Sequence, residues 1–385
     1  MARKAPKLKG MIESLVAAPS VSSVDAQWDM PNQLVTDRLG EWLEGMGFAT
    51  EQVAVPDQPG KTNLIATLGS GPGGLVLAGH TDTVPYDEDG WESDPFRLRE
   101  GDGRYYGLGT CDMKAFLALA IEAASEYEAG DLKEPLIILA TADEETSMSG
   151  AKALVEAGRP KGRCAVIGEP TGMRPVHMHK GMMMDAIHVI GHSGHSSDPG
   201  LGANALEGMH GVIAALLKWR GELQREHRMD EFKVPFPTLN LGYIRGGDNP
   251  NRICAGCELG IDLRPMPGMD RAKLREELHE RVRAAMNGNG LDVDFEVLFD
   301  GADAMKTASD APIVRAAEEL TGHPAEAVAF STEAPFLSNL GMDVVVLGPG
   351  DIDQAHQPNE FLAMDRIEPT VEVLRKLIRR FCLAD

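Results

Sequence analysis

The chain is short of cysteine, of positive charge and of long apolar runs. Five cysteines in 385 residues (111, 164, 254, 257 and 382) form an odd, sparse set that suits a reducing compartment better than a disulfide framework. Cys254 and Cys257 make a lone C-x-x-C, but the alternation in "LNLGYI…CELGIDLR" reads as strand. Positions three apart on a strand point to opposite faces, so a zinc or redox role for the pair is set aside. Lysine and arginine number 37 against 59 acids, a net charge of −22. That balance repels phosphate backbones and anionic lipid, which argues against nucleic acid and membrane as partners. No apolar stretch approaches the ~20 residues needed to cross a bilayer. The basic opening "MARKAPKLKGMIESLVAAPS" carries Glu13 within its apolar part and reads as an amphipathic helix rather than a signal peptide. The expectation is a cytoplasmic protein.

Hydrophobic residues make up 43 % of the chain and charged residues 25 %, enough for a sizeable core under a soluble surface. At roughly 100–200 residues per domain, the length suits two domains. The pattern predicts helices near 6–18 and 31–46, strands at 50–55, 62–68 and 74–79, and a helix over 113–129. "PLIILATA" (135–142) and "CAVIG" (164–168) read as buried strands on either side of a helix at 147–157. Short apolar strands alternating with helices predict an α/β sheet covered on both faces. After "HKG" (179–181) the style changes. A β-α-β-β-α-β run extends to "LDVDFEVLF" (291–299), the signature of a small ferredoxin-like α+β unit. The α/β style resumes near 304 and closes with a helix at 366–381. One domain (1–180 and 299–385) is therefore expected to be interrupted by an inserted domain (181–298).

Ligand sites in open α/β sheets lie beyond the carboxyl ends of the strands, and acids and imidazoles cluster at such ends here. His80 and Asp82 sit in "GHTDTVP" and Asp112 in "GLGTCDMKA". Glu144 and Glu145 follow "IILATAD", Glu169 follows "CAVIG", and His356 lies in "GPGDIDQAHQPNE". Singly, each has a plainer reading: an N-cap for Asp112, a solvated acidic loop for the glutamates, a hydrogen-bonded loop residue for His356. Together they would place mutually repelling carboxylates on one rim, which calls for a positive charge among them. Imidazole with carboxylate suits Zn²⁺ better than Mg²⁺ or Ca²⁺. Five ligating side chains suit two ions about 3.5–4 Å apart better than one.

"GHTDTVP", "GLGTCDMKA", "TADEETSMSGA", "VIGEPT" and "AHQPNE", in this order, resemble the dinuclear-zinc deacylases and peptidases, a family of aminoacylases, desuccinylases and deacetylases. The resemblance covers nearly the whole chain. "TLNLGYIRGGDNPNRICAGCELGIDLRPMPGM", "STEAPF" and "LGPGDIDQAHQPNEF" bring it nearest to the acetylornithine-deacetylating branch. One departure is Ala115, where the family usually has glycine after "DMK".

The resemblance implies a zinc-exopeptidase-like mixed sheet flanked by helices, with the inserted unit as a dimerisation lid in a homodimer. It implies two Zn²⁺ per subunit, replaceable by Co²⁺, with His80 and Glu169 on one ion, Glu145 and His356 on the other, and Asp112 bridging. Asp82 would take the second N–H of the His80 ring, though an Asx-turn is the plainer reading. Glu144 would be the general base for a solvent molecule shared by the ions. His195 in "GHSGHSSDPG" would reach the oxyanion across the dimer, with His192 as its neighbouring competitor. Arg264 in "DLRPMPG", assisted by Asn251, is the candidate for a substrate carboxylate. Their plainer readings are a strand-edge ion pair and a turn. Glu333 in "STEAPF" could pair with a substrate ammonium or cap a helix. The activity so implied is hydrolysis of a small N-acyl amino acid, acetylornithine foremost. Acetylcitrulline, succinyl-diaminopimelate or a broad aminoacylase range are the alternatives, and a non-catalytic metal-binding relative stands behind them.

Overall fold

The computed structural model describes residues 5–288 and 290–383. Two compact units emerge. The first comprises the chain up to His177, Thr307–Glu326 and the chain from Thr332 on; the second comprises Met178–Lys306 with Ala327–Ser331.

In the first unit the most apolar segments become the most buried strands. Leu75–His80, Leu136–Thr141 and Cys164–Ile167 are buried at every position, as continuous apolar runs require when both sheet faces are covered. Leu75–His80 runs parallel to both of the others, and Asp343–Val346 runs parallel to Cys164–Ile167. On the far side Thr62–Leu68 pairs antiparallel with Leu136–Thr141, and Ala49–Ala54 antiparallel with Thr62–Leu68, so the sheet is mixed. The register aligns four parallel strand ends: His80 with Thr141, Ala78 with Ile167, and Ile167 with Val346. Loops leaving these ends therefore start side by side.

The helix Lys114–Ala124 packs beneath these strands. Its sequence "KAFLALAIEAA" combines strong helix formers with apolar side chains all round, and ten of its eleven residues are buried. Ala115 is among them, 1 % exposed in the main core, so its methyl group is accommodated. The fit to the sheet is close. A Cβ placed on Gly168 would come within 2.0 Å of the Phe116 ring.

The second unit carries an antiparallel sheet in the order Thr238–Gly246, Gly256–Arg264, Met182–Ile190, Asp292–Ala302. Its helices are Ala205–Glu226 and Arg271–Met286, which gives the β-α-β-β-α-β order of a ferredoxin-like unit. Both helices begin at side-chain caps: Asn204 accepts from the Leu206 N–H, and Asp270 from those of Ala272 and Lys273. The last strand runs past position 298 to Ala302, and the unit extends with it to Lys306. Cys254 precedes the strand Gly256–Arg264 instead of lying on it, and the Cys254 and Cys257 thiols share one core. The opposite-faces reading of this pair is thereby corrected. All five cysteines are free.

Gly168→Ala is expected to destabilise the protein by about 1–3 kcal/mol, the usual cost of overpacking a dense core. Denaturant unfolding should show the Gly168→Ala/Phe116→Leu double variant less destabilised than the sum of the two single changes.

Candidate metal centre

Each aligned strand end delivers an acid or an imidazole. His80 is the last residue of Leu75–His80. Glu144 and Glu145 follow Leu136–Thr141, Glu169 follows Cys164–Ile167, and His356 follows Asp343–Val346 after a turn. Asp112 stands two residues before the buried helix Lys114–Ala124, next to a cis peptide bond to Met113. All belong to the first unit.

Asp112 is the centre of the cluster. Its Oδ1 lies 3.0 Å from His80 Nε2, and its Oδ2 lies 3.4 Å from His356 Nε2. One carboxylate thus turns its two oxygens toward two different imidazoles. His356 Nε2 also lies 3.1 Å from Glu145 Oε2, and His80 Nε2 lies 3.9 Å from Glu169 Oε1. Ligand atoms of His80, Asp112 and Glu145 fall within 4.8 Å of one another, as do those of His80, Glu144 and Glu169.

The electrostatics of this cluster are strained in a telling direction. Burial pushes Glu144 well above the usual carboxylate range, and the charges of Glu145, Asp82 and Glu333 push it further, against the pull of His80. Burial, then the Asp112 charge, does the same to Glu169, and both raise Glu145. Burial opposes ionisation of Asp112 as well, but hydrogen bonds to His356 and His80 hold its carboxyl below the usual range. Hydrogen bonds to Asp112 and Glu145 lift His356 to about 11. On His80, burial is outweighed by the Asp112 hydrogen bond and the negative charges of Glu169 and Asp82, so its pKa is raised. Extra protons therefore do the neutralising here. A divalent cation would replace them, and the nitrogen and oxygen donors are those a transition metal accepts.

The expectation that the Asp82 carboxylate takes the second N–H of the His80 ring is corrected. The Asp82 backbone carbonyl, not its carboxylate, is the near partner of the His80 ring, 3.0 Å from Nδ1 against 3.7 Å for Oδ1. Its Oδ2 accepts the Glu145 N–H at 3.1 Å. Asp82 thus joins the loop carrying Glu145 to the strand end carrying His80. Glu333 is also in the first unit, as buried as His80 at 1 % exposure. It occupies the N-cap position of the helix Ala334–Asn339 without a side-chain cap bond. Neither of its oxygens has a hydrogen bond of good geometry, although the Thr141 hydroxyl is near enough to favour the charged form, and burial pushes its carboxyl to about 7.

The three remaining candidates belong to the second unit. His195 lies on an exposed loop, where its Nδ1 contacts the Ser197 hydroxyl at 2.7 Å. The Asn251 carbonyl accepts the Ser196 N–H at 3.1 Å, which ties its turn to the His195 loop. Arg264 is half-buried and paired through Nε with Asp262 at 2.9 Å.

Sequence reasoning passed over the residues that brace this rim. Asp143, with a left-handed backbone (φ 62°), accepts from Ser22 Oγ at 2.5 Å, Ser149 Oγ at 2.9 Å, Lys61 Nζ at 3.2 Å and the Ser147 hydroxyl. This network fixes the residue before the Glu144–Glu145 pair. A buried acid beside two others in "ADEE" was the available signal, but its partners are up to 121 positions away.

Geometry of this kind puts the chain among the metal-dependent amidohydrolases. It belongs to peptidase family M20/M25/M40, whose model matches residues 76–380. It is 45 % identical over 380 residues to the acetylornithine deacetylase of Pasteurella multocida (strain Pm70), covering 99 % of each chain. To the acetylornithine deacetylase of Proteus mirabilis (strain HI4320) it is 46 % identical over 385 residues, covering 99 % of this chain and 98 % of the other. The fold is similar to that of an M20 family metallo-carboxypeptidase from Sulfolobus solfataricus, with a TM-score of 0.78 at 17 % identity over 97 % of this chain and 99 % of that one. Among the described residues no helix is long and apolar enough to cross a membrane.

The pKa shifts set the sign of a pH effect on metal-free protein. Glu144 and Glu169 ionise later in the fold than their ordinary value of 4.5, so their penalty is absent below that pH and grows as pH rises toward the folded values. His356 adds stability that is full below pH 6.5 and is lost as pH rises toward about 11. Asp112 has the opposite sign, losing its contribution as pH falls below 3.8. Metal-stripped protein should therefore lose stability from pH 5 to pH 8, while metal affinity rises as its ligands deprotonate. Thermal melts of chelated and metal-loaded protein should show a gap that widens with pH.

Proposed function

We propose that this chain hydrolyses N-acetyl-L-ornithine to L-ornithine and acetate, as a step of arginine biosynthesis in the cytoplasm. Full-length identity to enzymes named for that reaction supports the substrate. The observation that carries the chemistry is Asp112, facing two imidazoles with its two oxygens beside the Glu144–Glu145 pair.

Two Zn²⁺ ions fit this donor set, with Co²⁺ able to substitute. His80 and Glu169 would hold one, Glu145 and His356 the other, and Asp112 both. When bound, such ions polarise the acyl carbonyl and acidify water toward a pKa of ~7. Glu144 stands outside the imidazole contacts that occupy Asp112 and Glu145, which leaves its carboxylate to move protons. One of its oxygens takes a proton from the attacking water. The water oxygen bonds to the acyl carbon, the C–N bond breaks, and Glu144 returns the proton to the α-nitrogen of ornithine. Acetate keeps the water oxygen and the second water proton also ends on the α-nitrogen, leaving it an ammonium, so atoms and charge balance.

The second unit would serve as a dimerisation lid, with a second copy supplying His195 as a donor to the oxyanion. Arg264 would grip the substrate carboxylate with its planar fork, assisted by Asn251. Glu333 would pair with the distal ammonium of ornithine. A buried carboxylate with no hydrogen-bond partner of good geometry is incomplete until a proton or a cation joins it.

A panel of acetylornithine, acetylcitrulline, succinyl-diaminopimelate and acetylated neutral amino acids should show the highest kcat/KM for acetylornithine. Glu333→Gln should erase most of its preference over acetylcitrulline, which lacks the ammonium. Equal turnover of all substrates by the unaltered enzyme would instead mark a broad aminoacylase.

Glu144→Gln should keep its metal and lose about 10²–10⁴-fold in kcat, the usual worth of a positioned acid–base group. Mixed dimers of Glu144→Gln and His195→Ala chains should regain part of the activity that each lacks alone. Verified heterodimers without recovery would refute supply of His195 from a second copy.

A further inference from the structure

We propose that Glu360 is a positioning residue that aims Asp112 at its metal ions by clamping the backbone of the 109–112 loop. The inference rests on the reading of Asp112 as a shared metal ligand.

Glu360 is buried, 1 % exposed. Its Oε1 accepts the N–H groups of Cys111 at 2.7 Å and Asp112 at 3.0 Å, and its Oε2 accepts that of Gly109 at 3.1 Å. The Glu360 backbone carbonyl adds a fourth bond, from the Gly107 N–H at 3.0 Å. The loop needs such a partner. It lies between the strand Arg104–Tyr106 and the helix Lys114–Ala124, where the Thr110 N–H closes a turn on the Gly107 carbonyl but no ladder or helical turn takes the N–H groups of Gly109, Cys111 and Asp112. At Gly109 the backbone is left-handed (φ +83°), and a Cβ there would come within 2.6 Å of the Lys114 side chain. The loop is therefore committed to one path, and Glu360 holds its donors on that path.

Three donors converging on one acceptor group explain why it is a carboxylate. Glutamine in the same pose keeps the oxygen shared by Cys111 and Asp112 but turns an NH₂ toward the Gly109 N–H, donor against donor. Aspartate is one methylene too short to reach. The placement in sequence also matters. Glu360 lies four residues after His356 and directly before Phe361, which pairs with Tyr106. One short segment thus carries the imidazole that faces Asp112 Oδ2 and the carboxylate that fixes the Asp112 main chain. The two sides of the shared ligand are set by one piece of backbone.

The test compares wild-type, Glu360→Gln and Glu360→Ala proteins by Zn²⁺ titration calorimetry, Co²⁺ absorption spectra, kcat and KM on acetylornithine, and thermal melts. Loss of a group that orients a ligand should weaken binding of at least one ion about 10–100-fold and alter the Co²⁺ d–d bands. It should lower kcat with little change in KM, in the order wild type, Gln, Ala. A lowered melting temperature with unchanged Zn²⁺ affinity and Co²⁺ spectrum in the folded variants would overturn the proposal, leaving only a structural role. Wild-type protein that binds no metal would instead refute the metal reading itself. Should neither variant fold, hydrogen exchange on metal-free wild-type protein decides. The Gly109, Cys111 and Asp112 amides should be protected as a group, and free exchange of all three would overturn the proposal.

Discussion

Repulsion among buried carboxylates is the constraint around which this protein is arranged. Asp112, Glu144 and Glu169 are buried and the Glu145 side chain is 7 % exposed, and the three glutamates are driven upward in pKa by burial and by neighbouring carboxylates. Left alone, such a group either takes up protons or disperses. The sheet prevents dispersal, because Glu144, Glu145 and Glu169 leave parallel strands whose ends are fixed in register by ladders of hydrogen bonds. The fold therefore supplies a standing affinity for positive charge. Asp112, turned toward two imidazoles at once, stands where that affinity would be shared between two ions.

Rigidity at the strand ends is not sufficient, because the loops beyond them would otherwise relax away from the repulsion. Two sets of contacts oppose that. Asp143 is gripped by three serine hydroxyls and Lys61, whose ammonium also reaches Asp29 at 2.7 Å. Asp82 ties the Glu145 amide to the strand end of His80. Behind the rim lies a second buried cation, Lys114, donating to the Ala18 carbonyl at 3.1 Å and the Ser20 hydroxyl at 3.4 Å. Burial lowers its pKa to about 8 despite the opposing pull of Glu360 and Asp82. Lysines behind and metal ions in front would leave the acids between positive charges on both sides.

Much of this was legible in the sequence, for a physical reason. Buried parallel strands must be apolar along their whole length, so "LIILAT" and "CAVI" announced themselves, and acids placed directly after them could only sit at the sheet's rim. Boundaries drifted where propensity and tertiary contacts disagree. The helix expected over 113–129 ends at Ala124, and the strand expected to end at 299 runs on to Ala302. Bracing contacts left little trace. Ser22 and Asp143 are 121 residues apart, and Glu360 and Gly109 are 251 apart. The cis bond between Asp112 and Met113 involves no proline, so no local residue type announces it. Local pattern shows where a ligand stands, whereas long-range hydrogen bonding shows what aims it.

That division bears on how the site can be altered. Residues at strand ends inherit their position from the whole sheet, so replacing one removes a ligand without moving its neighbours. Asp112 differs, since it is placed by a loop, and its aim depends on backbone donors held from a distant segment. His356 sits at φ 60° in that segment, also outside regular structure. The two groups that face one another across the cluster are therefore those with least support from the sheet. A site built this way combines a half at the strand ends, His80 with Glu169, and a half placed by loops, Asp112 with His356. Affinity for an ion that Glu145 and His356 would hold should accordingly be the more sensitive to changes outside the ligand set.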